Sequence, residues 1–217
     1  ANTTPRAYLN EAIQYGKMVS EKIGSRYMAW LCEPHPQSLR VGMISGDFSN
    51  QPVGYFTESL LAQLSLARVE LIAYTNNPSA DELTSRIKPC FAHWREVFGL
   101  SDEATAQLIH NDGIHVLLDL SGHTAKNRLP VFAWKPAPVQ ATWLGYFSST
   151  GVAEMDYLLG DSRIAPIEDE SHFSEEIWRL PNSYLCFTPP SVAIEAGLLP
   201  ALATHQVTFG CFNNLTK

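Results

Sequence analysis

Basic residues are in short supply in this chain: Lys and Arg number 15 against 22 Asp and Glu in 217 residues, a formal net charge of −7. That balance excludes a nucleic-acid binder working through bulk attraction to phosphate and leaves room only for a local basic cleft. Cysteine is scarce as well. Cys32, Cys90, Cys186 and Cys211 lie far apart and form no C-x-x-C pair, which argues against a disulfide framework or a zinc site and predicts a reducing, cytoplasmic setting. No apolar run approaches the roughly 18 residues of a membrane span, so no membrane partner is expected. The segment from Ala1 to Arg6 is too polar for the core of a secretory signal. The motifs G-x-G-x-x-G, Walker A, G-x-S-x-G and H-x-x-x-H are all missing, which disfavours a dinucleotide Rossmann site, a P-loop and the nucleophile elbow of hydrolases. There is no D-x-D, so the paired-carboxylate grip on a metal–nucleotide donor has no candidate, and no bound metal or other cofactor is expected. A transferase with this sequence would meet phosphate with cationic side chains and helix N-termini.

What is present is globular: 45% hydrophobic and 17% charged residues are too apolar for a disordered chain. Residues 7–23 carry apolar positions at helical spacing and stop at Gly24. The two prolines of CEPHPQS (32–38) then read as a linker, so residues 1–38 form a helical lead-in. From residue 39 the pattern alternates. Strands are expected at 39–45, 69–74, 94–97, 114–120, 138–144, 155–159, 177–180 and 207–212, and helices at 55–66, 80–87, 101–110 and 129–134. The strongest strand, IHVLLDL (114–120), is apolar almost throughout, as a strand covered on both faces should be. The expectation is an α/β fold with a Rossmann-like, mostly parallel sheet built from right-handed βαβ units.

An open parallel sheet binds ligands outside the carboxyl ends of its strands. That rule selects three exit loops: GDFSNQP (46–52), SGHT (121–124) and GYFSSTG (145–151). In the first, Asp47 and Asn50 can position a hydroxyl or can equally be Asx-turn caps. In the second, His123 can bond a ligand or move a proton, or be tied to backbone. The third can form an anion-binding nest around Gly145 and Tyr146 or a plain turn. Asp112 and His115 open the strongest strand. By themselves they read as turn chemistry and a hydrogen-bonded histidine, because strand starts lie opposite the ligand edge. Lys135 reads as a surface charge.

Five blocks in order resemble the catalytic region of the protein O-GlcNAc transferase and SPINDLY family: LRVGMISGDFSNQPVGYF (39–56), DGIHVLLDLSGHTAKNRL (112–129), KPAPVQATWLGYFSSTG (135–151), MDYLLGD (155–161) and VTFGCFNNLTK (207–217). The resemblance implies tandem TPR repeats followed by a two-domain GT-B glycosyltransferase. Residues 1–38 would end the helical region, 39–206 would be the N-terminal Rossmann-like catalytic domain, and 207–217 the start of a truncated donor-binding domain. The implied reaction is inverting, metal-independent transfer of a sugar to Ser or Thr hydroxyls of a protein or peptide acceptor. The donor is UDP-GlcNAc or, in the SPINDLY branch, GDP-fucose; the SGHTAKNRL wording is closer to bacterial and SPINDLY-type members.

The resemblance assigns Lys217 to the donor phosphates, where an amine stabilises the leaving nucleotide, and places Asn214 and Thr216 beside it. It puts Asp112 and His115 among residues lining the active site; with Gln51 in place of histidine, a base would be Asp112, His115 or His123, or the proton would leave through water or the donor phosphate. Asn50, Gln51, Pro52, Gly122, Thr124, Gly145 and Tyr146 would contact substrate or donor. Gln51 departs from the family's histidine at that position and cannot take a proton, although its amide still hydrogen-bonds. A catalytically weak, peptide-binding scaffold therefore stands as an alternative. With Lys217 last, the isolated 217-residue piece is expected to be inactive.

Overall fold

The computed structural model describes residues 4–189 and 195–211. Its strands are β1 (Leu39–Ser45), β2 (Val69–Thr75), β3 (His93–Glu96), β4 (Val116–Asp119), β5 (Val139–Trp143), β6 (Tyr157–Asp161) and β7 (Glu176–Leu180). All seven pair in parallel in the order β3-β2-β1-β4-β5-β6-β7. The order reverses between β1 and β4, which makes the crevice above their carboxyl ends the topological switch point.

Alternation of side chains divides the core into two layers. Met43, Leu71 and Ala73 face α2 (Pro52–Leu64) and α3 (Glu82–Ile87). Their chain neighbours Ile44, Ile72 and Tyr74 face the opposite layer, which holds α4 (Asp102–Asn111) and α5 (Leu129–Phe132). Helix starts follow capping chemistry. Ser101 accepts from the Ala104 N–H at 3.1 Å ahead of Asp102 and Glu103, and Asp81 and Thr84 form a capping box on α3. Pro52 takes the first position of α2, a place where its missing N–H costs nothing, so that helix begins three residues before the expected start.

The connection from β5 to β6 contains no helix among its residues 144–156. The lead-in helix α1 (Pro5–Ser20) covers it instead, burying Ala12, Gly16 and Val19. Gly16 makes this possible: a Cβ there would lie 1.8 Å from the Gly151 carbonyl oxygen. Beyond α1 the lead-in stays on the domain. Tyr27 stacks on His110 at 3.9 Å, the His110 Nε2 lies 2.9 Å from the Ala29 carbonyl, and the Trp30 indole donates to the Lys135 carbonyl at 2.9 Å. Lys135, expected as a surface charge, is enclosed with Asp156 at 2.6 Å.

One expectation is corrected. Residues 207–211 form no strand; a strand needs a ladder, and none of the described strands pairs with them. A further helix, α6 (Pro200–Thr204), precedes them.

Candidate active site at the strand exits

The β4 exit is built on Asp119. Its carboxylate is fully buried and accepts from the Ser121 N–H at 3.1 Å, the Gly122 N–H at 2.8 Å and the Thr142 hydroxyl at 2.8 Å. Burial pushes this carboxyl above the usual range, while those three bonds and His123 pull it back. Asp119 thereby joins β4 to β5 and shapes a tight turn. The Thr124 N–H donates to the Ser121 carbonyl at 3.2 Å, and Gly122 supplies the positive φ of +55°. The turn presents His123, whose Nε2 lies 2.9 Å from the Thr150 carbonyl. A carbonyl only accepts, so Nε2 carries a proton, and in the neutral ring Nδ1 is the nitrogen with the lone pair.

The β5 exit is strained. The Gly145 N–H donates to the Trp143 carbonyl at 2.9 Å around Leu144, whose φ is +75°. That is a γ-turn of the rarer, strained hand. A Cβ on Gly145 would lie 2.0 Å from the Leu120 carbonyl oxygen, and one on Gly122 would lie 2.2 Å from Cβ of Tyr146. The β4 and β5 exits thus touch backbone to backbone. Tyr146 comes to 5.4 Å from the His123 ring and Tyr15 of α1 to 5.0 Å, both edge to face. Between them lies a hollow of about 160 Å³, which Glu11 and Ser148 also line. Burial, with lesser effects from Asp102 and Asp119, raises the Tyr15 phenol above its ordinary value.

The β1 exit lies across the switch point. The Asp47 N–H donates to the Ser45 hydroxyl at 2.9 Å. Burial raises the Asp47 carboxyl, opposed by Lys126, which packs against Gly46. The Asn50 N–H donates to Asp81 at 2.6 Å. Gln51 is the exposed N-cap of α2 and makes no side-chain cap bond. Asn50, Tyr55, Arg86 and Phe187 help line an open groove of about 870 Å³ beside this exit. The loop that follows β4 is tied down by buried Arg128, which donates to the carbonyls of Val97 at 3.2 Å and Leu100 at 3.1 Å and to the Thr105 hydroxyl at 2.7 Å. Its Nε lies 2.9 Å from Asp102.

The structure therefore brings His123, Gly122, Gly145 and Tyr146 together, with Thr124 in the same turn and Asn50, Gln51 and Pro52 on the neighbouring exit. It does not bring Asp112 and His115 to them. Asp112 ends α4 on the amino side of the sheet. There it accepts from the Tyr74 hydroxyl at 2.8 Å and from Arg95 at 3.0 Å, while its carbonyl accepts from Arg40. His115 accepts at Nδ1 from the Arg40 N–H at 3.0 Å, and its Nε2 donates to the Glu33 carbonyl at 3.0 Å. These bonds tie the end of α4 to β1, β2 and β3, and the 32–38 linker to the start of β4. Asp112 and His115, which the resemblance sets among residues lining the active site, thus sit apart from His123 and Tyr146. Lys217, Asn214 and Thr216 lie outside the described residues.

Sequence reasoning passed over Asp119, Arg128 and Tyr15. An acidic residue closing the strongest strand was a signal for Asp119; nothing local marks Tyr15, which arrives from a helix over 100 residues away. Among the described residues no group of three or more His, Cys, Asp or Glu is placed to hold a metal ion, and no helix is long and apolar enough to cross a membrane.

Comparison with known proteins converges on one family. The sequence pattern of glycosyl transferase family 41 matches residues 19–188. The Petunia hybrida protein named probable UDP-N-acetylglucosamine–peptide N-acetylglucosaminyltransferase SPINDLY is 35% identical over 201 residues, covering 90% of this chain and 22% of that protein. The Arabidopsis thaliana protein with the same enzyme name and the designation SEC is 32% identical over 190 residues, covering 82% and 19%. A solved mutant of the Thermobaculum terrenum O-GlcNAc transferase superposes with a TM-score of 0.82 at 36% identity, covering 88% of this chain and 37% of that one. The chain spans about a fifth of the length of the curated relatives it matches. With a matching pattern over most of its length and a parallel sheet that superposes on a solved O-GlcNAc transferase, the chain belongs to glycosyl transferase family 41.

Proposed function

We propose that this chain is the acceptor-side half of the catalytic region of a protein O-glycosyltransferase that transfers N-acetylglucosamine from UDP-GlcNAc to Ser or Thr hydroxyls. The observation that carries the reading is the convergence of the β4 and β5 exits around His123, next to the switch point that the β1 exit borders, in a chain whose relatives are named for that transfer. The acceptor oxygen attacks the anomeric carbon, the bond from that carbon to the diphosphate oxygen breaks, and the hydroxyl proton leaves to a base. His123 suits the base: Nδ1 holds a free lone pair, and the Thr150 carbonyl stabilises the Nε2–H side as the ring becomes cationic. Gln51 cannot serve. Lys217 meets the charge that develops on the departing nucleotide, and the sequence beyond it completes the donor site.

The test is transfer by the longer protein from radiolabelled UDP-GlcNAc and, in parallel, GDP-fucose. Incorporation of GlcNAc is expected, and His123→Ala should cut turnover by roughly 10²- to 10⁴-fold. Lys217→Ala should lower turnover by orders of magnitude with acceptor binding intact, because leaving-group charge appears mainly in the transition state. Fucose transfer alone would reassign the donor. No transfer from either, with peptide still bound, would replace the enzyme by a scaffold.

A further inference from the structure

Glu175, just before β7, is 6% exposed. A carboxylate so deep is tolerated where donors replace its water, and here they all come from one short stretch of the β5–β6 connection. One oxygen accepts from the Thr150 N–H at 2.7 Å and the Thr150 hydroxyl at 2.5 Å; the other accepts from the Ser149 hydroxyl at 2.8 Å. Each hydroxyl is itself aimed by backbone. Ser149 Oγ accepts from the Gly151 N–H at 3.3 Å and the Ser174 N–H at 3.2 Å, and Thr150 Oγ1 accepts from the Val152 N–H at 3.2 Å. Every one of these bonds runs toward the carboxylate. The same stretch turns the Thr150 carbonyl the other way, onto Nε2 of His123.

We propose that Glu175 is a positioning residue for His123. By clamping Ser149 and Thr150 it holds the Thr150 carbonyl against the imidazole, fixes the Nε2–H tautomer and keeps Nδ1 as the basic nitrogen. A neutral imidazole has one N–H, and a nitrogen held against a carbonyl is the one that carries it. The catalytic consequence rests on the reading of His123 as proton acceptor; the clamp itself does not.

The first experiment uses the 217-residue chain labelled with ¹⁵N-histidine, the His123 signals being identified by their loss in His123→Gln. The wild type should show a single tautomer, protonated at Nε2. Glu175→Ala should give a tautomer mixture, and so should Glu175→Leu, which fills the volume but accepts nothing. Glu175→Gln should restore the single tautomer. Its amide oxygen can take both Thr150 donors, and its amide N–H can turn to Ser149 Oγ, whose proton swings to Ser174 Oγ, 2.7 Å away. Should the alanine and leucine variants fail to fold, Thr150→Val removes only the hydroxyl from the clamp and should mix the tautomers in the same direction. A pure Nε2–H tautomer in folded Glu175→Ala or in Thr150→Val would overturn the proposal, as would a mixture in Glu175→Gln.

In the longer protein, Glu175→Ala should lower turnover about 100-fold with little change in KM for the donor, the scale expected when a reacting group is misplaced by about 1 Å. Combined with His123→Ala it should cost nothing further; a multiplied loss would mean that the two act separately. If the wild-type longer protein transfers no sugar, the proposed activity falls and the tautomer measurement still decides the clamp.

Discussion

Gly16→Ala distinguishes a helix that is part of the fold from one that merely precedes it. On a free helix this change stabilises, by about 1 kcal/mol from propensity alone. Here the new Cβ would lie 1.8 Å from the Gly151 carbonyl oxygen and 3.2 Å from Cα of Val152. Both are backbone atoms, and Gly151 is itself held by the Glu175 clamp through Ser149, so α1 must retreat by roughly 1 Å. A gap of that size forfeits a quarter to a half of the dispersion attraction of the atoms it separates. The atoms concerned belong to Ala12 and Val19, both on the buried face of α1. Overpacking of this kind costs about 1–3 kcal/mol. Less the propensity gain, the net loss is on the order of 0–2 kcal/mol, or a fall in Tm of up to about 4–8 °C for a chain of this size. Thermal unfolding followed by circular dichroism reads it directly. A variant melting several degrees above the wild type would show that α1 does not bear on the β5–β6 connection and would refute the argument.

Other outcomes follow from individual contacts. Gly145→Ala places a Cβ 2.0 Å from the Leu120 carbonyl oxygen and should cost about 2–3 kcal/mol; an unchanged urea midpoint would deny the contact between the two exits. Arg128→Lys should cost about 2–3 kcal/mol, because an ammonium cannot reproduce a planar fork spread over two carbonyls and a hydroxyl, whereas Arg86→Lys on the exposed pair with Glu58 should leave the midpoint unmoved. Asp161 is held below the ordinary carboxylate value of 3.8 by the Tyr184 N–H, then by those of Ile164 and Arg163. Its folded form binds its proton later than the unfolded chain as pH falls, so it stabilises above about 3.8 and loses that contribution as pH drops through the lowered value. Asp161→Asn should therefore be less stable than wild type at neutral pH, with a gap that closes in acid; a gap independent of pH would contradict the assignment.

The parts of the fold that local pattern encodes were readable. Residues 39–45 form β1 as expected, and the apolar stretch ending in Asp119 forms the covered strand beside it. The rule that ligands meet parallel sheets at strand exits picked out the loops that carry His123 and Tyr146, which the structure sets 5.4 Å apart. It also placed Asp112 and His115 at the far edge, where they are found tied to Arg40; the resemblance pulled them toward the site against that argument. What stayed hidden depends on partners distant along the chain. Nothing near Glu175 announces that its carboxylate will be closed over by Ser149 and Thr150, some 25 residues earlier. Nothing around Gly16 announces a backbone met only after the chain has crossed the sheet. Residues 207–211 have strand-like composition, but composition supplies no neighbour to pair with among the described strands.

The packing of α1 has a practical corollary. A protein trimmed to start at the first strand, as sequence boundaries invite, would strip the cover from Val152 and Met155 in the core layer and remove Tyr15 from beside the imidazole. The smallest piece able to keep this hollow in shape must include Thr4, whose hydroxyl caps the helix, so α1 enters the protein as one wall of the hollow beside His123 rather than as a tether to it.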